Sequence, residues 1–168
     1  MTPSAKVFAY IDKALEHVER AEVEFIHVGV LGCASRLYYA CLHVTTAFVL
    51  LKEHSHSVSS NAASHRARVN IFNQHYNRTK KTAIYKKANN MINFTNWRIA
   101  REYADYDIYD STNHIHRLNE ISQHVEEMID FINAHLINMN NKHGCSYIAV
   151  TFAQDQLVQQ AKQSPEVE

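Results

Sequence analysis

Glycine and proline are nearly missing: the 168 residues hold three Gly and two Pro. Such a chain carries neither a collagen repeat nor a Gly/Ser linker. It also lacks the turn residues that an all-β sandwich needs for its many hairpins. Gly occurs only at positions 29, 32 and 144, so no Gly-rich loop can cradle phosphates and P-loop ATP hydrolysis is excluded. Cysteine is scarce and odd in number, with Cys33, Cys41 and Cys145 at no regular spacing. That argues against a disulfide framework and for a reducing, cytoplasmic setting. The start, Met-Thr-Pro-Ser-Ala-Lys, lacks the basic segment and apolar stretch of a secretory signal. An excess of charge of one sign is missing too, with 17 Lys+Arg against 17 Asp+Glu. Any contact with nucleic acid must therefore come from a local patch rather than a global field.

What is present fits one helical domain. Apolar residues make up 46% and charged residues 20%, and the length suffices to bury about two-thirds of the unfolded surface. Histidine is frequent, at 12, so net charge rises on mild acidification. Val30 to Leu51 is long enough to span a bilayer. Arg36 lies inside it and Ser35, Thr45 and Thr46 dilute it, so it reads as the central helix of a bundle and no membrane is expected.

Periodicity gives the helices. A first runs from about Ser4 to Phe25, with Val7, Ile11, Ala14, Leu15, Val18 and Ala21 on one stripe. Gly29 and Gly32 predict a turn over 27–32. A second helix spans Cys33 to Glu53 and is apolar on nearly every face. His54 to Ser64 reads as a loop, His65 to Tyr76 as a third helix capped by Ser64, and Ala83 to Ala104 as a fourth. The last begins at Asp110 or Ser111 and keeps three-four spacing from Ile115 to Met139. The expected architecture is all-α, an up-and-down bundle of four to five helices over residues 1–140. Residues 141–168 form a partly flexible C-terminal appendage, in which Tyr147 to Phe152 is a run of strand-forming type.

Three strings stand in a telling order. The second helix carries Ser35-Arg36-Leu37-Tyr38-Tyr39-Ala40-Cys41-Leu42-His43. After the loop comes Ser64-His65, then Val69-Asn70-Ile71-Phe72. Arg101-Glu102-Tyr103-Ala104-Asp105-Tyr106 precedes the last helix. Over about residues 5–138 this resembles the HEPN superfamily, in its branch of small stand-alone prokaryotic proteins. The resemblance implies a helical bundle that forms homodimers, needs no cofactor and no metal, and acts on RNA. It further implies a toxin or defence role and, for many small members, a nucleotidyltransferase partner. Some members bind RNA, a nucleotide or a partner without catalysis, and that is the alternative reading.

The family's nucleases use Arg followed four to six residues later by His. Histidine moves the proton of the 2′-hydroxyl or of the leaving oxygen, and Arg stabilises the phosphorane charge. At the family's position this chain reads Arg101-x4-Tyr106, with Tyr in place of His. A phenol of pKa about 10 is a poor base at neutral pH. The catalytic candidates are Arg101 for the phosphate, Asp105 and Tyr106 as orienting groups, and Arg36 and His43 as pocket members two helical turns apart. An equally open reading pairs Arg36 with Asp105 as a structural ion pair and leaves His43 in the core. Arg20/His27, Arg68/His75 and Arg117/His124 share the spacing of Arg36/His43. His65, Arg66 and Arg68 at a helix start, with Lys80 and Lys81 beyond, are nucleic-acid-binding candidates. The family's acceptors of nucleotide transfer point to Tyr109 as a modification candidate. His54/His56 and His114/His116 lack further ligands at a recognisable spacing, so no metal site is expected.

Overall fold

The computed structural model describes residues 2–53, 62–78, 94–106 and 114–152. Among these the chain is all-helical, with α1 at Ala5–Val28, α2 at Val30–Lys52, α3 at Ala62–Arg78, α4 at Phe94–Tyr106 and α5 at His114–His143. The sequence pattern locates all five, and the ends shift by a few residues, as helix ends do when tertiary contacts extend the last turn. The second half of the expected fourth helix is α4, while 79–93 lie outside the described residues.

Of the expected stripe of α1, Val7, Ile11, Ala14, Val18 and Ala21 are buried and Leu15 is partly buried, and Phe25 extends it. The turn expected over 27–32 contracts to one residue. Gly29 sits at φ +86°, a conformation that favours glycine, and its N–H donates to the Phe25 carbonyl at 2.9 Å. Gly32 falls inside α2 rather than in a turn. A Cβ there would stand 2.9 Å from both the Glu24 carbonyl oxygen and Val28 Cβ, so its missing side chain lets α1 and α2 close into a tight antiparallel pair.

Helix α2 is the centre, packing against α1, α3, α4 and α5. It is long and apolar enough to cross a membrane, and most of it is buried by its neighbours, as the core helix of a bundle would be. Cys33, Ala34, Leu37, Ala40, Cys41, Val44 and Val49 are fully enclosed. Small residues in that run let neighbouring backbones approach closely, so that the Cys41 thiol reaches the Met128 carbonyl of α5 at 3.7 Å. At the other end of the core, Phe48, Phe72, Phe94, Trp97, Phe131 and His135 meet edge to face, with ring centroids from 4.7 to 6.3 Å apart. Trp97 is wholly buried and donates its indole N–H to Glu127 at 2.9 Å, which fixes α4 on α5.

The strand-like run Tyr147 to Phe152 forms no strand among the described residues. After α5 ends at Gly144 (φ +66°), the chain turns back and is held by two asparagines. Asn140 accepts from Tyr147 N–H at 2.8 Å and donates to the Tyr147 carbonyl at 2.9 Å. Asn133 does the same for Val150, at 2.7 and 2.9 Å. The geometry explains the spacing. Seven helical residues rise about 10.5 Å, and three extended residues span about 10 Å, so each side-chain amide meets one peptide unit. The β-forming residues thus find ladder-like partners on a helix face. Val150 is buried and Phe152 packs on Phe25, while 153–168 lie outside the described residues.

Candidate anion-binding groove

Helices α2, α3 and α4 enclose an open groove of about 920 Å³. Its walls come from the three strings singled out above: Tyr38, Tyr39 and Leu42 from α2, His65 and Val69 from α3, and Arg101 and Glu102 from α4. Arg66 and Arg98 add two more guanidinium groups. Ser35 of α2 donates to Asp105 of α4 at 3.1 Å, across 70 residues of sequence, and this contact ties one wall to the other.

Arg101 is the centre of the groove. Its guanidinium lies over the rings of Tyr38 and Tyr39, at 5.8 and 6.0 Å from their centroids. Asp105 receives Arg101 Nη1 at 3.3 Å. Glu102 stands 3.8 Å from Arg101 and pairs with Arg98 at 2.9 Å. Arg66 is exposed and has no ion-pair partner among the described residues. Three guanidinium groups against two carboxylates leave the groove cationic. His65 is the one imidazole among the lining residues. Burial, with Arg68 adding to it, pushes its pKa down and keeps it neutral and basic at neutral pH. The side chain of Tyr106, together with Lys80, Lys81 and Tyr109, lies outside the described residues.

Arg36 and His43 do not join this groove. Arg36 pairs with Glu24 of α1 at 2.8 Å, not with Asp105, because its face of α2 is turned toward α1. His43 lies on the same face and stacks on His17 at 5.2 Å and against Tyr10 at 5.9 Å. Burial first, then the charges of His17, Lys13, Arg68 and His65, push its pKa to about 4. Arg68 is buried about two turns into α3. Tyr39 lies between the two regions, lining the groove and stacking on His17 at 5.8 Å.

The remaining Arg/His pairs separate by environment. His75 bonds Glu53 at 3.1 Å, and Arg68 does not share that contact. His124 is held by Glu127 at 2.9 Å, and both line a second groove of about 510 Å³ between α4 and α5 with Arg117 and Tyr103. Arg117 is itself paired to Glu120 at 3.2 Å. Among the described residues no three His, Cys, Asp or Glu side chains gather as a metal set.

No family model matches the chain, and neither a curated protein nor a solved structure does.

Arg98 belongs to the groove although no motif contains it, and Tyr38 and Tyr39 line it although they stood in the second-helix string without being site candidates. A sequence signal for the cationic wall existed. Residues 54–101 contain nine of the 17 Lys+Arg and no Asp or Glu at all. The neutral total conceals that segregation, and the segment supplies α3 and most of α4.

Proposed function

We propose that this chain is a HEPN-like, RNA-directed protein of the toxin or defence kind, which holds an RNA strand in the α2–α3–α4 groove and cuts it without a metal. The observation that carries the reading is the groove itself, which Arg66, Arg98, Arg101 and His65 line together and in which Arg101 lies over Tyr38 and Tyr39. Guanidinium forks bind phosphate oxygens, and tyrosine faces offer stacking surfaces to unpaired bases. In this reading His65 takes the 2′-hydroxyl proton and the 2′-oxygen bonds to phosphorus. The 5′-oxygen leaves with a proton from water, and Arg101 neutralises the added charge. The order of the three strings supports the HEPN assignment, and homodimerisation, a nucleotidyltransferase partner and a cytoplasmic location belong to it as proposals.

A second reading, a HEPN-like module that binds without cutting, is favoured by one observation. Asp105 and Glu102 already engage Arg101, so a phosphate must compete with them. One experiment separates the two. Wild type, Arg101→Ala and His65→Ala proteins are incubated with single-stranded and structured RNA in EDTA. Products ending in 2′,3′-cyclic phosphate from wild type, lost in both variants, support cleavage. Binding by wild type that Arg101→Ala weakens, with no product, supports the module. Neither binding nor cleavage of any RNA refutes both.

A further inference from the structure

Arg68 is 5% exposed and has neither an ion pair nor a hydrogen bond among the described residues. An uncompensated guanidinium on a largely buried residue is costly, since burial removes most of its water and no opposite charge replaces it, although its nitrogens are not fully sealed from solvent. Its electrostatic neighbours among the described residues are Tyr10, His43 and His65, and no carboxylate is among them. The acid-free segment 54–101 contributes no carboxylate. On α1, Glu16 pairs with Lys13 at 2.8 Å and Glu24 with Arg36 at 2.8 Å.

The groups around Arg68 repeat the same imbalance. His17 and His43 stack at 5.2 Å with rings 21° from parallel, and His17 Nδ1 is buried without a hydrogen-bond partner. Among the described residues Lys13, Arg20 and Arg36 act on His17 against the single carboxylate of Glu16, and Lys13, His17, His65 and Arg68 act on His43. Burial and these cations hold both imidazoles below their usual pKa. A cation has no reason to enter. An oxyanion has three: it pairs Arg68, accepts from His17 Nδ1, and makes protonation of the two imidazoles favourable.

We propose that α1, α2 and α3 build an oxyanion site for a phosphate monoester around Arg68, His17 and His43, beside the RNA groove and separated from it by Tyr39 and His65. A monoester fits better than a diester. It carries up to two charges against Arg68 and two proton-accepting rings, whereas a diester carries one and occupies the groove as backbone. The monoester is either the 5′-phosphate of an RNA end or a free small phosphate ester. The first source rests on the RNA reading above, and the second does not.

The test uses the full chain. Calorimetric titration with inorganic phosphate at pH 6, in two buffers of different ionisation enthalpy at matched ionic strength, reads binding and proton uptake together. The expected result is net proton uptake, with affinity at least about tenfold higher at pH 6 than at pH 8. Arg68→Met removes the heat of binding and melts above wild type in chloride, because an unpaired buried charge is gone. His17→Gln keeps binding and lowers proton uptake. A 5′-phosphorylated oligoribonucleotide that binds more tightly than its 5′-hydroxyl twin, a difference lost in Arg68→Met, identifies the RNA end. A nucleoside 5′-monophosphate that binds while RNA ends make no difference identifies a small ester. Equal phosphate heats in wild type and Arg68→Met, or an Arg68→Met protein melting below wild type, overturn the site. Phosphate held in the groove is lost in Arg101→Ala, and the titration repeated in that background keeps the proton-linked heat that Arg68→Met removes, so failure of the groove reading and failure of this one give different patterns.

Discussion

Acid should unfold this protein partly through one residue, His135. The residue is 3% exposed, and its ring packs edge to face on Phe48 and Phe131 at 5.6 and 4.7 Å and tilted against Phe72 at 5.8 Å. Burial pushes its pKa from 6.5 to about 3. The folded chain therefore takes up this proton only near pH 3, whereas the unfolded chain takes it up near 6.5. Between those values the unfolded state holds more protons, so stability falls as pH falls. Integrated from pH 7 to pH 4, the loss is about 3 kcal/mol, using about 1.4 kcal/mol per pKa unit. His135→Leu has nearly the same volume and no titrating group. Urea unfolding followed by helical circular dichroism, at pH 7 and pH 4, measures the effect for both proteins. The wild-type loss between the two pH values should exceed that of the variant by about 3 kcal/mol. Carboxylate protonation is common to both and cancels. An equal pH dependence in the two proteins would refute the reasoning.

Gly32→Ala places a methyl group 2.9 Å from the Glu24 carbonyl and Val28 Cβ, and should destabilise by about 1–3 kcal/mol in the same unfolding assay. An unchanged midpoint would mean that the α1–α2 corner is looser than described. Asn133→Ala leaves the N–H and carbonyl of buried Val150 without partners, at a cost of about 1–3 kcal/mol. Limited proteolysis should then cut near residues 145–152 well before α5 is lost, and unchanged protection would show that Val150 and Phe152 hold the segment alone. Burial pushes the Cys33 thiol up to about 12 and raises that of Cys41, while Cys145 is half-buried near the end of the described chain. A disulfide reagent at pH 8 should titrate one thiol in the native protein and three in denaturant. Three fast native thiols would contradict the packing of α2.

Helix content was legible because it is local. The stripe from Val7 to Ala21 and the spacing from Ile115 to Met139 are periodic, and periodicity fixes which face must be buried. The turn at 27–32 was misplaced because glycine has two uses. Gly29 breaks the helix through its backbone, while Gly32 serves packing by having no side chain. Tyr147 to Phe152 has strand propensity, but propensity does not name a partner, and the partners are two side chains of α5.

The site divides along the same line. Composition and helix spacing by themselves determined an all-helical bundle around an apolar second helix, the family-like strings put Arg101 and Asp105 among the residues of interest, and a basic helix start did so for His65 and Arg66. Which of them meet was decided only by helix rotation. Arg36 and His43 share a face with each other by spacing alone, yet that face meets α1, so Arg36 binds Glu24 and His43 stacks on His17. Arg101 instead reaches Tyr38, Tyr39 and Asp105, with Ser35 completing the contact across 70 residues. The burial of Arg68 likewise has no sequence signature, since a basic helix start reads the same whether it faces water or the bundle. A period states which residues lie together on one helix, and only the packed helices state what that face touches.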